Sequence, residues 1–337
     1  MKAFLDKYDT IVFDMDGVIT SEESYWDCAA LTVYEFTRSK RYFGTEDIDT
    51  DYVNKNVDAI RKDILCNDKI KNELKDRGVN SNWDLAYVII MISLITESND
   101  SKEIYAYTKD LGGNIIDCYD GLAELSAKRT KRDKPYFERN GQMWTEVRDC
   151  FQEWYLGDEE FYDEYNRPPF LEGKQGVINN ERPIIAVDKI QEVLCELSKT
   201  KRICTATGRP YIEALKPLRD WDLLKYIAPD GFCNYNHVTE AENASGLNLT
   251  KPHPYMLLKA ILGTDTDDTS ILNGEFDKSI INKTLMVGDA GADIFTAQKA
   301  GADFCAVLTG AANRTFFEEN GANYICNSIY GMIREEK

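Results

Sequence analysis

The sequence predicts an α/β fold, with a Rossmann-like, three-layer core around a parallel sheet and an inserted, mostly α-helical cap domain. From about residue 183 onward, short apolar runs alternate with segments of helical periodicity, which is typical of parallel strands covered on both faces. Far ahead of that region lies one isolated strand-like run, residues 10–13. Helical periodicity dominates the long stretch between them, which indicates an insertion after the first strand.

The first strand is predicted at residues 10–13 (TIVF), a short apolar run that is rich in β-branched residues and has polar flanks. After it, helical spacing of apolar residues recurs in segments such as 25–38, 57–65 and 82–95. We therefore predict a discontinuous catalytic core, residues 1–21 and 183–337, and a helical cap, residues 22–182.

The second part of the core is predicted to contain five further strands and the helices between them. The strand-like runs are RICTATGRP (202–210), GFCNYN (231–236), TLMV (284–287), DFCAVL (303–308) and NYICNS (323–328). Helical spacing appears in 186–199, after residue 210, in 254–262 and in 292–301. Residues 263–282 interrupt this alternation and are predicted to be a surface insertion.

The charge and cysteine content limit the functional classes. The 337 residues include 58 acidic and 40 basic side chains, for a formal net charge of -18. Such a surface repels nucleic acid and anionic lipids, so we expect neither as a partner, and an anionic small substrate needs a local pocket of opposite sign. Nine scattered cysteines favour a reducing compartment. The N-terminus lacks a secretory signal pattern, so we expect a cytoplasmic protein.

Polar residues follow several of the predicted strands. Asp14 and Asp16 come after the first strand, and two threonines, Thr205 and Thr207, lie where the second ends. Lys251 precedes the helix at 254–262. Asp289 and Asp293 follow the strand at 284–287. Because ligands of parallel sheets bind beyond the carboxyl ends of the strands, we expect these groups to meet.

The residue types point to phosphoryl chemistry. Carboxylate oxygens are the ligands that Mg²⁺ prefers, and several converging acids would repel one another without a cation. A threonine hydroxyl and a lysine ammonium can hold the oxygens of a transferring phosphoryl group. With only two histidines in the chain, a Ser-His-Asp arrangement is a weak alternative.

These motifs resemble those of the haloacid dehalogenase (HAD) superfamily, most of whose members are phosphatases. The matching segments are FDMDGVIT (13–20), ICTATGRP (203–210), LTKPHPY (249–255) and MVGDAGADIFTAQKAGA (286–302), in the family's order. The resemblance covers residues 8–24 and 183–330. It implies a Mg²⁺-dependent phosphohydrolase that acts on a small phosphorylated metabolite through an aspartyl-phosphate.

The resemblance also implies residue roles. Asp14 would be the nucleophile, and Asp16 the general acid and then the base. Mg²⁺ would be held by Asp14, the Asp16 carbonyl and Asp289, with Asp293 as a further ligand or support.

Thr207, Gly208 and Lys251 would bind the phosphoryl group, and Thr207 and Lys251 would thereby take part in catalysis. Thr205 is the alternative hydroxyl, and Thr207 is preferred because it directly precedes Gly-Arg-Pro.

Two other functions remain open. Asp16 argues against dehalogenation, since only a phosphatase must protonate an alkoxide leaving group. A sugar-phosphate mutase of the β-phosphoglucomutase type also keeps both acids, so the first motif allows it. A non-catalytic binding or regulatory protein on the same fold is the third hypothesis.

In the cap, the basic run 128–134 is predicted to be a solvated surface. The aromatic stripe around residues 144–155 is predicted to belong to the core of the cap.

Overall fold

The computed structural model describes residues 2–79, 81–310 and 312–335. It divides into two compact units. The first, which we call the catalytic unit, consists of Met1–Glu22 and Glu181–Lys337, and the second, the helical unit, consists of Glu23–Asn180.

Helices follow one another through the helical unit, whereas strands and helices alternate in the catalytic unit. The strands are β1 Thr10–Phe13, β2 Arg202–Ala206, β3 Phe232–Cys233, β4 Thr284–Gly288, β5 Asp303–Val307 and β6 Tyr324–Cys326. The helices of the helical unit are α1 Glu23–Arg38, α2 Thr50–Lys55, α3 Val57–Ile64, α4 Lys69–Asp76, α5 Asn82–Thr96, α6 Ser101–Asp110, α7 Ile115–Thr130, α8 Lys134–Phe137 and α9 Gln142–Tyr165. Those of the catalytic unit are α10 Val187–Ser198, α11 Tyr211–Asp220, α12 Tyr235–Ser245, α13 Tyr255–Leu262, α14 Asp268–Asn273, α15 Gly291–Ala300 and α16 Arg314–Glu319. Short 3-10 helices span Ala3–Lys7, Val177–Asn180, Leu224–Tyr226, Lys278–Lys283 and Ile329–Met332.

The catalytic unit is built on one six-stranded sheet in the order β3-β2-β1-β4-β5-β6. Every pairing in this sheet is parallel, and β1 lies at its centre between β2 and β4. This arrangement confirms the predicted α/β fold. The register places Phe13 beside both Thr205 and Val287, so these three strands end at one edge.

Both faces of the sheet are buried, which explains why β1 is apolar along its whole length. Ile11 and Phe13 pack on one face with residues of α10, such as Leu194. Val12 packs on the other face with residues of α13 and α15, such as Leu257. Full burial of each such side chain contributes about 1.5–3 kcal/mol. The central strand is thus fixed from both sides, and so is the position of the residue that follows it.

Two predictions of local structure need correction. The strand predicted at 231–236 ends at Cys233, because Asn234 accepts a hydrogen bond from the N–H of Asn236 and caps α12. The segment 263–282 is not a plain surface insertion, since it contains α14 and part of a 3-10 helix. Ile271 and Ile281 of this segment are buried in the core.

In the helical unit, α5 is buried on nearly all sides, which explains its long apolar run. The aromatic residues Phe151, Trp154 and Tyr155 of α9 are buried, while Trp144 is half-buried. Most of the basic run 128–134 is exposed where α7 ends. Among the residues described, no helix has the length and apolar character needed to cross a membrane.

Candidate active site

The candidate site lies at the edge where β1, β2 and β4 end. Asp14 directly follows β1, and its N–H donates to the carbonyl of Val287 on β4 at 2.9 Å. Thr207 directly follows β2, and its N–H donates to the carbonyl of Cys233 at 3.1 Å. Asp289 directly follows β4. The parallel register therefore brings residues that are distant in the sequence to the same edge.

Three buried carboxylates converge there. Asp14, Asp289 and Asp293 each offer one oxygen, and these oxygens lie within 4.8 Å of one another. Asp293 belongs to the first turn of α15, where its Oδ2 accepts hydrogen bonds from the N–H groups of Asp289 and Ala290, both at 3.3 Å. These bonds fix the Asp293 carboxylate between the end of β4 and the start of α15.

Lys251 brings a positive charge to this cluster. Its Nζ lies 2.9 Å from Oδ1 of Asp14 and 2.8 Å from Oδ1 of Asp293. Burial lowers the pKa of Lys251, but attraction to the two carboxylates outweighs burial and raises this pKa overall. Burial raises the pKa of Asp14 to about 7, in spite of the lowering effect of Lys251.

The cluster fits a divalent cation. Three carboxylates and one ammonium leave two negative charges in a buried space. Carboxylate oxygens are ligands that suit a hard ion such as Mg²⁺. The two positive charges of such an ion would also balance the two negative charges that remain.

Two glycines allow the backbone to approach Asp289 closely. At Gly17, where φ is +71°, an added Cβ would lie 2.2 Å from Oδ2 of Asp289. At Gly310 an added Cβ would lie 1.6 Å from the same oxygen. Any side chain at these positions would displace the carboxylate. Gly310 lies outside the four motifs, and no sequence pattern indicates its contact with Asp289.

We expect Gly310→Ala to weaken Mg²⁺ binding by about 10- to 100-fold, as do changes to groups that support a metal ligand. The added Cβ leaves no room for the Asp289 carboxylate. Calorimetric titration with Mg²⁺ measures the effect. Gly121→Ala in α7 is the matched control, since its Cβ meets nothing within 4 Å. An unchanged affinity of Gly310→Ala would count against Asp289 as a ligand.

Asp16 does not join the three buried carboxylates through its side chain. Its carboxylate pairs with Arg209, at 2.7 Å from Nη2, and accepts a hydrogen bond from the Thr20 hydroxyl at 3.1 Å. Arg209 is not among the residues predicted for the site, although it lies within the second motif. The signal that could have found it is a guanidinium three residues beyond the end of β2, the strand that pairs with β1.

The two candidate threonines occupy different positions. Thr205 is inside β2, and its buried hydroxyl has no hydrogen-bond partner in the described structure. Thr207 lies beyond the strand, and its hydroxyl accepts a hydrogen bond from the N–H of Arg209 at 3.2 Å. Gly208 is exposed beside it. Of the two threonines, Thr207 is thus the one at the strand end.

Part of the catalytic unit is similar to a known protein family. Residues 248–331 match a family model described as HAD-hydrolase-like. This segment contains Lys251, Asp289 and Asp293. No curated protein sequence matches the chain.

Similar structures cover most of the chain. An X-ray structure of a Northeast Structural Genomics Consortium target is 29% identical, with a TM-score of 0.84 over 96% of this chain and 97% of that one. Phosphatase Tt82 from Thermococcus thioreducens is 17% identical, with a TM-score of 0.50 over 87% and 90% of the two chains. A putative phosphatase from Clostridium difficile is 15% identical, with a TM-score of 0.45 over 97% of both chains.

Proposed function

We propose that this chain, which belongs to the haloacid dehalogenase superfamily of hydrolases, is a Mg²⁺-dependent phosphohydrolase that acts through an aspartyl-phosphate on Asp14. The observation that carries the proposal is the buried group of Asp14, Asp289, Asp293 and Lys251 at the edge of the sheet. It combines a carboxylate nucleophile, a phosphate-binding ammonium and a set of oxygen ligands in one place.

The residues divide the reaction into two steps. The Asp14 carboxylate attacks phosphorus, the bond to the leaving oxygen breaks, and the phosphoryl group becomes attached to Asp14. Asp16 gives its proton to the leaving oxygen. Asp16 then takes a proton from the attacking water, whose oxygen bonds to phosphorus, releasing inorganic phosphate and restoring Asp14. Lys251 and Thr207 bind the phosphoryl oxygens throughout.

The residues that would hold Mg²⁺ are Asp14, Asp289 and the backbone carbonyl of Asp16, with Asp293 as a further ligand or as support. A bound Mg²⁺ ion would neutralise charge on the phosphoryl oxygens and thereby let two anions approach each other. Lys251 serves the same purpose from within the chain, because it already contacts Asp14 and Asp293.

We also propose that the substrate is a small phosphorylated metabolite. The net charge of -18 disfavours nucleic acid and anionic membranes as partners. A local cationic group is required to bind a phosphate ester on such a protein, and Lys251 supplies one beside Asp14.

The proposed function predicts Mg²⁺-dependent release of phosphate from p-nitrophenyl phosphate and from at least one member of a panel of phosphorylated metabolites. Beryllofluoride with Mg²⁺ should also raise the melting temperature, since it binds the native site alone. Failure of both assays would favour a non-catalytic protein on the same fold. A sugar-phosphate mutase would instead return isotopically labelled phosphate to the sugar, which mass spectrometry detects.

A further inference from the structure

Arg209 is a buried cation in the catalytic unit with no role in the reaction described above. Its side chain is 1% exposed. The guanidinium contacts the carboxylate of Asp16, the carboxylate of Glu181 at 3.2 Å and the backbone carbonyl of Glu213 at 3.2 Å. A cation buried this deeply is costly unless it is paired, and here two carboxylates face it.

The contacts with Arg209 fix the direction of the Asp16 carboxylate. Oδ1 accepts hydrogen bonds from Nη2 of Arg209 at 2.7 Å, from Nε at 3.1 Å and from the Thr20 hydroxyl at 3.1 Å. Oδ2 has the longer contact of 3.2 Å with Nε. The Asp16 side chain remains 30% exposed. Oδ1 is therefore held by three hydrogen bonds and Oδ2 by one, so the plane of the Asp16 carboxylate is fixed by Arg209 and Thr20.

Glu181 holds the guanidinium from its other side. The Glu181 side chain is 3% exposed, and this residue begins the second segment of the catalytic unit. Backbone hydrogen bonds from Ser21 to Arg182 at 2.8 Å and from Ile184 to Ile19 at 3.0 Å tie this segment to the loop after β1. Arg209 thus lies between two segments that are already fixed to each other.

We propose that Arg209 is a positioning residue that orients Asp16 toward the leaving oxygen, with Glu181 fixing the guanidinium in turn. This inference rests on the proposed function. As the bond between phosphorus and the leaving oxygen breaks, the proton moves from Asp16 to that oxygen, and the Asp16 carboxylate becomes an anion beside Arg209. The fork of the guanidinium matches a carboxylate in a way that a lysine ammonium does not.

The leaving group of the substrate provides a test that a purely structural role would not meet. A good leaving group such as 4-nitrophenolate departs without a proton, whereas a poorer one such as phenolate needs the acid. We expect Arg209→Met to lower kcat for phenyl phosphate by about 10²-fold or more, which is the usual size of general-acid catalysis. The loss of kcat with 4-nitrophenyl phosphate should be at least tenfold smaller.

Arg209→Lys and a matched control refine the test. Arg209→Lys keeps the positive charge but loses the planar guanidinium that donates several hydrogen bonds to the carboxylate. The kcat of this variant should therefore show an intermediate dependence on the leaving group. Arg202→Met is the control, because Arg202 begins β2, at the end of that strand away from Arg209, and pairs with Asp230 at 2.9 Å. Its activity should match that of the wild type with both substrates. The double variant Arg209→Met, Asp16→Asn should have a kcat little lower than that of Asp16→Asn alone.

The possible outcomes are distinct. An equal loss of kcat in Arg209→Met with phenyl phosphate and with 4-nitrophenyl phosphate would overturn the positioning role and leave Arg209 as a structural residue. If Arg209→Met does not fold, Glu181→Gln replaces it, and the same unequal loss is expected at a smaller size. Equal rates of Glu181→Gln and wild type would then overturn the proposal. Absence of hydrolysis by the wild type with Mg²⁺ would instead refute the proposed function itself.

Discussion

Asp14→Asn is expected to abolish turnover while the chain stays folded. An amide has nearly the shape of a carboxylate, so the buried position can accept it, but it cannot attack phosphorus and form the aspartyl-phosphate. Losses on the order of 10⁴-fold or more in kcat are typical when a nucleophile is removed. Steady-state kinetics with p-nitrophenyl phosphate and Mg²⁺, together with circular dichroism, measure both parts of the prediction.

The same substitution should change stability in a pH-dependent way. Burial raises the pKa of Asp14 from 3.8 to about 7 in the folded protein, so the folded state binds this proton more tightly than the unfolded state does. Ionisation of Asp14 therefore destabilises the folded protein. This destabilisation is absent below about pH 4, grows as the pH rises and is complete above about pH 7. In the absence of divalent cations, Asp14→Asn should therefore be more stable than the wild type at pH 8 and not at pH 4.

Asp303→Asn is the control for the kinetic measurement. Asp303 begins β5, away from the carboxyl ends of the strands, and pairs with Lys7 at 2.7 Å. We expect this variant to retain wild-type kcat. Measurable phosphorylated enzyme or more than a few per cent of wild-type kcat in Asp14→Asn would rule out Asp14 as the nucleophile. A melting temperature that is lower than that of the wild type at pH 8 would contradict the pH argument.

The features that could be predicted from the sequence are those that depend on short runs of residues. The apolar runs of β1 and β4 predict buried strands because both faces of the sheet are covered. Asp14 and Asp289 follow directly, so the parallel topology alone brings them to one edge. The motif at 249–255 predicts that Lys251 pairs with Asp14, as the structure has it, whereas the contact of Lys251 with Asp293 appears only in the structure.

The features that could not be predicted depend on contacts between distant residues. Arg209 reads as part of a turn in the sequence, and its contacts with Asp16 and Glu181 depend on how two segments meet. Gly310 offers no side chain, and its closeness to Asp289 appears only in space. The sequence pattern predicts that β3 continues to residue 236. The strand ends earlier because the side chain of Asn234 accepts a hydrogen bond that caps the following helix instead.

Removal of the buried ammonium should have a large effect on stability. Lys251 is 12% exposed at its side chain and contacts two carboxylates, so Lys251→Met leaves Asp14 and Asp293 without their cation. Breaking a buried ion pair from one side typically costs about 3–5 kcal/mol. We expect the free energy of unfolding in the presence of EDTA to fall by about 3 kcal/mol, measured by urea denaturation at pH 8.

Addition of Mg²⁺ provides the sharper part of this prediction. Because a divalent cation among the same carboxylates would replace part of the lost charge, Mg²⁺ should stabilise Lys251→Met more than it stabilises the wild type. Lys7→Met is the control, since Lys7 is 52% exposed and its pair with Asp303 is a surface contact, worth about 1 kcal/mol or less. Equal stabilisation of Lys251→Met and wild type by Mg²⁺ would mean that the ammonium and the metal do not balance the same charges.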